Sequence, residues 1–283
     1  MTKVEDLSVV ICGIIRDSEK CLKKNIPSIM EICAYFGDYK IVIYENGSID
    51  RTKEILNEWH LTVPDHVYIL TGESSDFPIQ AYGGIRPNPF FSSYRIMKMV
   101  SLRNNYLDYV EERGWEPDYL IVVDLDVARI DPDGVLSSFK CKENWDAVTA
   151  YGYSLSPKLR KRYHDTYALT EYGDEGNPQT EKKILELADK YGNLKSSDDW
   201  IRVYSAFGGL AIYRYDAIKG LRYQLIKNPD ERVEVKCEHY SICKQMNGRG
   251  FDKIYINPAM TLKYQDVTWE IVLKWFKRKV SRC

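Results

Sequence analysis

An apolar run that ends in two carboxylates one residue apart is the feature that most constrains this chain. The run from Tyr119 to Val123 is rich in β-branched residues and follows Gly114 and Pro117, so it predicts a buried strand of a mostly parallel sheet. Residues i and i+2 of an extended segment point the same way, so Asp124 and Asp126 can present oxygens to one hard cation. The alternative is that one Asp caps the following helix while the other is solvated, but this places two like charges together without compensation.

The composition is that of an ordinary globular protein. The chain has 283 residues, an apolar fraction of 44% and a formal net charge of -1, which does not favour nucleic acid as a partner. Seven cysteines occur without a CxxC pair, and we interpret them as reduced thiols of a cytoplasmic protein that has no signal peptide. No apolar stretch approaches the ~18 residues that a membrane span requires.

Strand and helix patterns alternate through the first half of the chain. This alternation is typical of a right-handed parallel α/β unit. We therefore predict an α/β fold in which a mixed, mostly parallel sheet is flanked by helices in a single domain. The predicted elements are a strand at 7–15, a helix reaching 36 with a break at Pro27, a strand at 39–44, a helix at 51–59, a strand at 66–70, a helix at 94–113 and the strand at 119–123.

The pattern is looser in the second half. Residues 72–91 and 157–179 are predicted to be long loops, because they are irregular and rich in turn-forming or charged residues. The predicted elements here are strands at 146–151, 210–213 and 253–256 and helices at 180–191, 238–246 and 268–279.

Polar residues follow several of the predicted strands in the same way. Arg16 follows the first strand, Glu45 and Asn46 follow the second, and the Asp pair follows the strand at 119–123. The carboxyl ends of parallel strands meet at one edge of a sheet, where ligands of α/β proteins bind. Arg95 and Arg103 lie on the helix before the Asp pair and are either site residues or solvated and ion-paired helix residues; we favour a site role for Arg103.

Two histidines stand beside carboxylates and could belong to an acid–base or metal site. His164 precedes Asp165, and Glu238 precedes His239. A Glu at the start of a helix also stabilises the helix dipole, and adjacent residues of a helix do not face each other. Elsewhere, Gly208 and Gly209 precede a strand, which indicates either close approach of a ligand or a tight corner.

Several sequence blocks together resemble a known family. The blocks at 41–52, 101–107 and 122–127 are similar to those of GT-A (Rossmann-like) glycosyltransferases, and the blocks at 145–150, 164–168, 205–209, 237–239 and 254–258 narrow the resemblance to the fungal capsule-type α-1,3-mannosyltransferase family. The similarity runs from about residue 7 to 265. By comparison with the fungal pattern, we expect this protein to have no N-terminal membrane anchor, and its Asp-Leu-Asp motif is more regular.

The resemblance implies a metal-dependent enzyme that transfers a hexose from a nucleotide-sugar to a carbohydrate acceptor. It implies Mn2+ or Mg2+, and GDP-mannose is favoured over UDP-sugars. Residues 1–127 would bind the nucleotide-sugar and residues 128–265 the acceptor, followed by a basic amphipathic helix at 266–283. The implied metal ligands are Asp124, Asp126 and His239, with His164 as another candidate. The implied catalytic residues are Glu238 and Asp165. The implied donor-binding residues are Ile15, Arg16, Glu45, Asn46, Arg95, Arg103, Asp124, Leu125, Gly208 and Gly209.

Three questions stay open at the level of sequence. Aromatic residues alternate with lysines and arginines from 268 to 283, so this segment either contacts an anionic membrane surface peripherally or packs on the domain. The Asp pair also fits the nucleophile motif of haloacid-dehalogenase-type phosphatases. A non-catalytic carbohydrate-binding module is the third possibility, although it needs no pair of metal-binding carboxylates.

Overall fold

The computed structural model of the protein describes residues 3–72, 89–140, 144–156 and 160–266. The strands in these residues are β1 (Ser8–Ile15), β2 (Asp38–Asn46), β3 (Val67–Gly72), β4 (Tyr119–Val123), β5 (Arg129–Ile130), β6 (Ala147–Leu155), β7 (Lys161–Tyr163), β8 (Thr170–Glu171), β9 (Ile201–Ser205), β10 (Leu210–Arg214) and β11 (Ile254–Lys263). The α-helices are α1 (Glu19–Cys33), α2 (Thr52–Thr62), α3 (Ser93–Glu112), α4 (Pro132–Lys140), α5 (Glu181–Lys190), α6 (Tyr215–Ile218) and α7 (Glu238–Gly248).

One sheet runs through both halves of the chain, in the order β3-β2-β1-β4-β10-β6-β11-β9-β8. The strands β3, β2, β1 and β4 are parallel to one another. Strand β10 then pairs antiparallel with both β4 and β6, whereas β6 and β11 are parallel. This arrangement confirms the predicted single α/β domain with a mixed sheet, and the pairing of β4 with β10 joins its two halves.

The core lies on both faces of the sheet, as the alternation of side chains along a strand requires. In β1, Val10 and Cys12 belong to the cluster that also contains residues of α3 and α7. Val9 and Ile11 belong to the opposite cluster, which contains residues of α1, α2 and α4. A strand covered on both faces is apolar along its whole length, which is why β1 and β4 were recognisable from sequence.

Most predicted elements are present, with corrections. The predicted break at Pro27 is wrong, because α1 continues through it. Because Pro27 has no N–H, the carbonyl of Lys23 lacks its usual helical hydrogen bond. Both residues are exposed, so water can donate to that carbonyl instead. The sequence interpretation missed the short strands β5, β7 and β8 and also β9. The predicted helix at 268–279 and most of the predicted loop at 72–91 lie outside the described residues.

None of the helices that the structure describes is both long and apolar enough to cross a membrane.

Candidate active site

A cleft of about 480 Å3 opens at the carboxyl end of β4. Its walls come from β1, α3, α5 and α7 and from the segments that follow β4 and β7. The tertiary structure therefore brings together residues that are distant in sequence. The predicted site residues that line this cleft are Arg95, Arg103, Asp124, Asp126, His164, Asp165, Glu238 and His239.

The other predicted site residues do not line this cleft in the described part of the chain; they are Ile15, Arg16, Asn46, Leu125, Gly208, Gly209 and Glu45. Ile15 is paired with Glu45 in the register of β1 and β2. Glu45 borders a separate cavity of about 410 Å3, together with Lys53 and His60 of α2. One Glu45 oxygen, Oε1, accepts a hydrogen bond from the backbone N–H of Ser48 at 2.5 Å. The other oxygen is buried without a partner among the described residues.

Arg103 connects two of the cleft carboxylates. Its Nε donates to Oε1 of Glu238 at 3.1 Å, and its Nη2 donates to Oδ1 of Asp124 at 3.2 Å. The guanidinium also lies 5.1 Å from the centroid of the Phe207 ring. Sequence alone left open whether Arg103 was a solvated helix residue; the structure shows that it is buried, with two carboxylate partners, in the wall of the cleft.

Asp124 and Asp165 hold their protons more tightly than usual, since the pKa of each carboxyl is raised. Burial, reinforced by the charge of Asp126, raises the pKa of Asp124 to about 6, although Arg103 opposes the shift. Burial and the charges of Asp124 and Glu238 raise the pKa of Asp165 to about 8. Both shifts have the direction expected where carboxylates share a poorly solvated site.

The turn after β9 is tight, and it is hydrogen-bonded to two residues of the cleft. Gly208 and Gly209 have φ values of 65° and 90°, and a Cβ at Gly208 would clash with the carbonyl of Ala150. The N–H of Gly208 donates to Oδ2 of Asp165 at 3.3 Å, and the N–H of Asp124 donates to the carbonyl of Gly209 at 2.8 Å. Of the two interpretations of these glycines, the geometry favours the tight corner.

His239 is buried beside Glu238 on α7. Its ring is stacked on Phe207 with centroids 3.6 Å apart, and neither ring nitrogen has a hydrogen-bond partner in the described structure. Burial and the charge of Arg103 hold the pKa of His239 well below its usual range, so the ring is neutral at physiological pH. The adjacent Cys237 donates from Sγ to Oε2 of Glu238 at 3.3 Å.

Asn25 is a supporting residue that sequence reasoning missed. It is buried on α1, and its Nδ2 donates to the carbonyls of Leu125 and Val127 at 2.9 and 2.7 Å. These bonds fix the backbone that carries Asp124 and Asp126. The sequence signal for its role was a polar residue at a position on the otherwise apolar face of α1, because a buried polar group needs hydrogen-bond partners.

The cleft residues suit a hard divalent cation. Asp124 and Asp126 offer carboxylate oxygens, the ligand type that Mg2+ and Mn2+ prefer, and Asp126 is exposed. Burial raises the pKa of Asp124, and the neighbouring charge of Asp126 adds to the shift, so a cation between the two carboxylates would favour their charged forms. Within the described ranges no three His, Cys, Asp or Glu side chains converge as a ready-made metal-binding group. A third protein ligand such as His239 would therefore have to move toward the Asp pair when a cation binds, and the remaining ligands would come from the substrate or from water.

The fold and the cleft together are those of the GT-A class. The chain belongs to the cryptococcal mannosyltransferase 1 family, whose sequence profile matches residues 8–245. This confirms the resemblance found from the sequence blocks. No curated protein matches the chain.

Solved structures with a related fold share little sequence with this protein. S. aureus TarS 1–349 in complex with UDP is 11% identical and has a TM-score of 0.50, over 96% of this chain and 64% of that chain. The mannosyltransferase PcManGT from Pyrobaculum calidifontis in complex with GDP-Man and Mn2+ is 11% identical and has a TM-score of 0.49, over 98% of this chain and 65% of that chain. The chain thus spans just under two thirds of each of them, and the likeness to TarS shows the fold.

Proposed function

We propose that this protein is a metal-dependent glycosyltransferase that moves a hexose from a nucleotide-diphosphate sugar to a carbohydrate acceptor. The observation that carries the proposal is the pair Asp124 and Asp126, which line the cleft at the carboxyl end of β4 in a chain of a mannosyltransferase family. The family favours mannose as the transferred sugar and GDP-mannose as the donor over UDP-sugars.

The proposed donor site extends from the Asp pair along the edge of the parallel strands. Asp124 and Asp126 would hold Mn2+ or Mg2+, with His239 as a third ligand, and a bound cation would supply positive charge that stabilises the leaving diphosphate. Arg16, Asn46 and Ile15 would lie near the nucleotide. The unpartnered carboxylate oxygen of Glu45 would accept a hydrogen bond from a ribose hydroxyl or a base N–H.

The acceptor would approach from the side of residues 128–265. In the reaction a bond forms between the acceptor oxygen and the anomeric carbon, the bond to the diphosphate breaks, and the acceptor hydroxyl loses its proton. In an inverting reaction Asp165, whose pKa is about 8, would take this proton as a general base near neutral pH. Glu238, held by Arg103 and Cys237, would orient the acceptor or the sugar. The family resemblance favours retention of the anomeric configuration, in which the leaving phosphate takes the proton.

Thermal stability of the purified protein tests the proposal. GDP, UDP and CMP and their sugars are added with and without Mn2+. A ligand that binds only the folded state at a hundredfold excess over Kd stabilises it by about 2.7 kcal/mol. We expect a metal-dependent rise with GDP or GDP-mannose that is lost in Asp126→Ala and retained in Asp216→Ala, whose exposed carboxylate pairs with Arg214 outside the cleft.

The opposite result would favour one of the alternative functions. A protein that no nucleotide stabilises, but that hydrolyses a phosphate ester, would be a phosphatase. One that binds saccharides without nucleotide or metal would be a binding module. The phosphatase motif normally closes the first strand of its fold, whereas Asp124 follows the fourth strand of this chain.

A further inference from the structure

Tyr264 lines the cleft, and the proposed mechanism gives it no role. It directly follows β11 and is half-buried. Within the part of the chain that the structure describes, its phenol hydroxyl has no hydrogen-bond partner. A hydroxyl in a substrate cleft that is not used by the protein itself is available to a ligand.

The ring of Tyr264 is fixed by its neighbours. It is stacked on the ring of His164, with centroids 3.6 Å apart. It also lies against two glycines, because a Cβ at Gly209 would be 2.7 Å from the hydroxyl oxygen and a Cβ at Gly152 would be 2.7 Å from the ring. The N–H of Tyr264 donates to the carbonyl of Tyr153 at 3.0 Å, and the N–H of His164 donates to that of Gly152 at 2.8 Å. Both rings are therefore attached to β6.

The hydroxyl of Tyr264 lies at the turn that connects the Asp pair with Asp165. Its oxygen is next to Gly209, whose carbonyl accepts the N–H of Asp124 at 2.8 Å. The same turn donates a backbone N–H to Asp165 at 3.3 Å. Burial and the charges of three cleft aspartates, Asp124 foremost, hold the pKa of Tyr264 well above its usual range. The hydroxyl is therefore a neutral O–H donor among carboxylates.

This position suits the bond that breaks in the proposed reaction. The Asp pair would hold the diphosphate through a cation, and Asp165 would face the acceptor, so the bond between the phosphate and the sugar would lie between them. When that bond breaks, its electron pair stays on the phosphate oxygen, which becomes negatively charged. An O–H donor that is already fixed in place stabilises such a charge without having to reorganise.

We propose that the hydroxyl of Tyr264 donates a hydrogen bond to the phosphate oxygen that leaves the sugar. The inference rests on the proposed function and adds a catalytic residue to it. The proton stays on Tyr264 throughout, and the oxygen accepts the bond through a lone pair. The bond is stronger to the free, charged oxygen of the nucleoside diphosphate than to the same oxygen in the nucleotide-sugar, where it is esterified and uncharged.

Tyr264→Phe tests the proposal, because it keeps the ring that stacks on His164 and removes only the hydroxyl. Calorimetric titration of the full chain with Mn2+ measures the affinities for GDP and GDP-mannose. We expect the affinity for GDP to fall by about tenfold or more and that for GDP-mannose by no more than about threefold. The rate of GDP release from GDP-mannose, with water or methyl α-mannoside as the acceptor, should fall by about tenfold or more.

Tyr255→Phe is the matched control. Tyr255 belongs to β11, its ring lies 6.0 Å from that of Trp200, and it does not line the cleft in the described structure. Both affinities and the rate of GDP release should be unchanged in this variant. Unchanged affinity for GDP in Tyr264→Phe, or equal losses of affinity for GDP and GDP-mannose, would overturn the proposal.

The unaltered protein separates this inference from the proposed function. If it binds neither GDP and GDP-mannose nor UDP and its sugars in the presence of Mn2+, the proposed function fails, and the role of Tyr264 fails with it. If it binds a nucleotide-sugar and releases the nucleotide, but Tyr264→Phe does both equally well, the role of Tyr264 alone fails. Loss of transfer to methyl α-mannoside with unchanged hydrolysis by water would place Tyr264 at the acceptor and overturn the proposal.

Discussion

Arg103 on α3 and Glu238 in the first turn of α7 are joined by a buried hydrogen bond of 3.1 Å between Nε and Oε1. Their side chains are only 3% and 4% exposed. Arg103 also bonds to Asp124, so one guanidinium holds a proposed donor-side carboxylate and a proposed acceptor-side carboxylate. We infer that Arg103 sets the position of the two halves of the site relative to each other.

Removing the charge of Arg103 should destabilise the protein strongly. Arg103→Gln leaves the buried Glu238 and the partly buried Asp124 without their cation, and breaking a buried ion pair on one side costs about 3–5 kcal/mol. Arg222→Gln is the control, because Arg222 also pairs with two carboxylates, Asp108 and Glu111, but at the surface; its cost should stay within about 1 kcal/mol. Urea denaturation measures the free energy of unfolding of both variants. Equal losses of this free energy would mean that the buried network around Arg103 contributes no more to stability than a surface ion pair.

Glu238→Gln should abolish most of the turnover while the donor still binds. The amide keeps the shape of the side chain and can accept the bond from Arg103, but it loses the negative charge that the acceptor or the sugar would meet. We expect kcat to fall by about a hundredfold and the affinity for nucleotide with Mn2+ to change little. Release of nucleotide diphosphate from the donor measures kcat. Undiminished transfer would remove Glu238 from the mechanism.

Asp165→Asn should make stability less sensitive to pH. The pKa of Asp165 is about 8 in the fold against an ordinary 3.8, so between these values the unfolded chain has lost a proton that the folded protein keeps. This contribution to stability is complete below pH 3.8, declines as pH rises and is lost above about pH 8.

The Asn variant has no such loss and can still accept the bond from Gly208. We therefore expect the melting temperature of Asp165→Asn, compared with that of the unaltered protein, to rise by at least about 2 °C between pH 4 and pH 8. Both proteins are measured in the presence of a metal chelator. Asp216→Asn, at an exposed carboxylate, is the control. If the difference in melting temperature between Asp165→Asn and the unaltered protein did not vary with pH, the raised pKa of Asp165 would be refuted.

Asn25→Leu should weaken both the fold and the metal site. The substitution keeps the branched shape and the number of heavy atoms but leaves the buried carbonyls of Leu125 and Val127 without these donors, at a cost of about 2–4 kcal/mol. Because these carbonyls belong to the segment that carries the Asp pair, the affinity for Mn2+ should also fall. Asn105→Leu is the control, since Asn105 bonds to Ser101 at the helix surface. Unchanged Mn2+ affinity would show that Asp124 and Asp126 are placed without Asn25.

His239→Phe tests the third metal ligand without removing the ring that stacks on Phe207. A neutral imidazole can bind a cation and a phenyl ring cannot, so the Mn2+ affinity should fall by about tenfold or more. Electron paramagnetic resonance of Mn2+ measures the affinity. His164→Phe is the matched variant, because His164 lines the same cleft and is stacked on Tyr264. Loss of affinity in His164→Phe alone would assign the ligand to His164.

The periodic parts of the fold could be predicted from sequence, and the irregular parts could not. Strands β1 and β4 are apolar throughout because both faces are covered, and α3 shows a clear helical period. Strand β9 was missed because it lies near the edge of the sheet with a mixed pattern of burial. The break predicted at Pro27 was wrong because the sequence did not show that this side of α1 faces the solvent.

The sequence by itself determined the class of the protein and the position of its two key carboxylates. Asp124 and Asp126 directly follow a buried strand, and the geometry of that strand places them together at its end. Only the tertiary structure brought Arg103, Asp165 and Glu238 to the same cleft and placed Glu45 in another cavity. Contacts between residues more than a hundred positions apart depend on how the sheet and helices pack, and no local pattern records that packing.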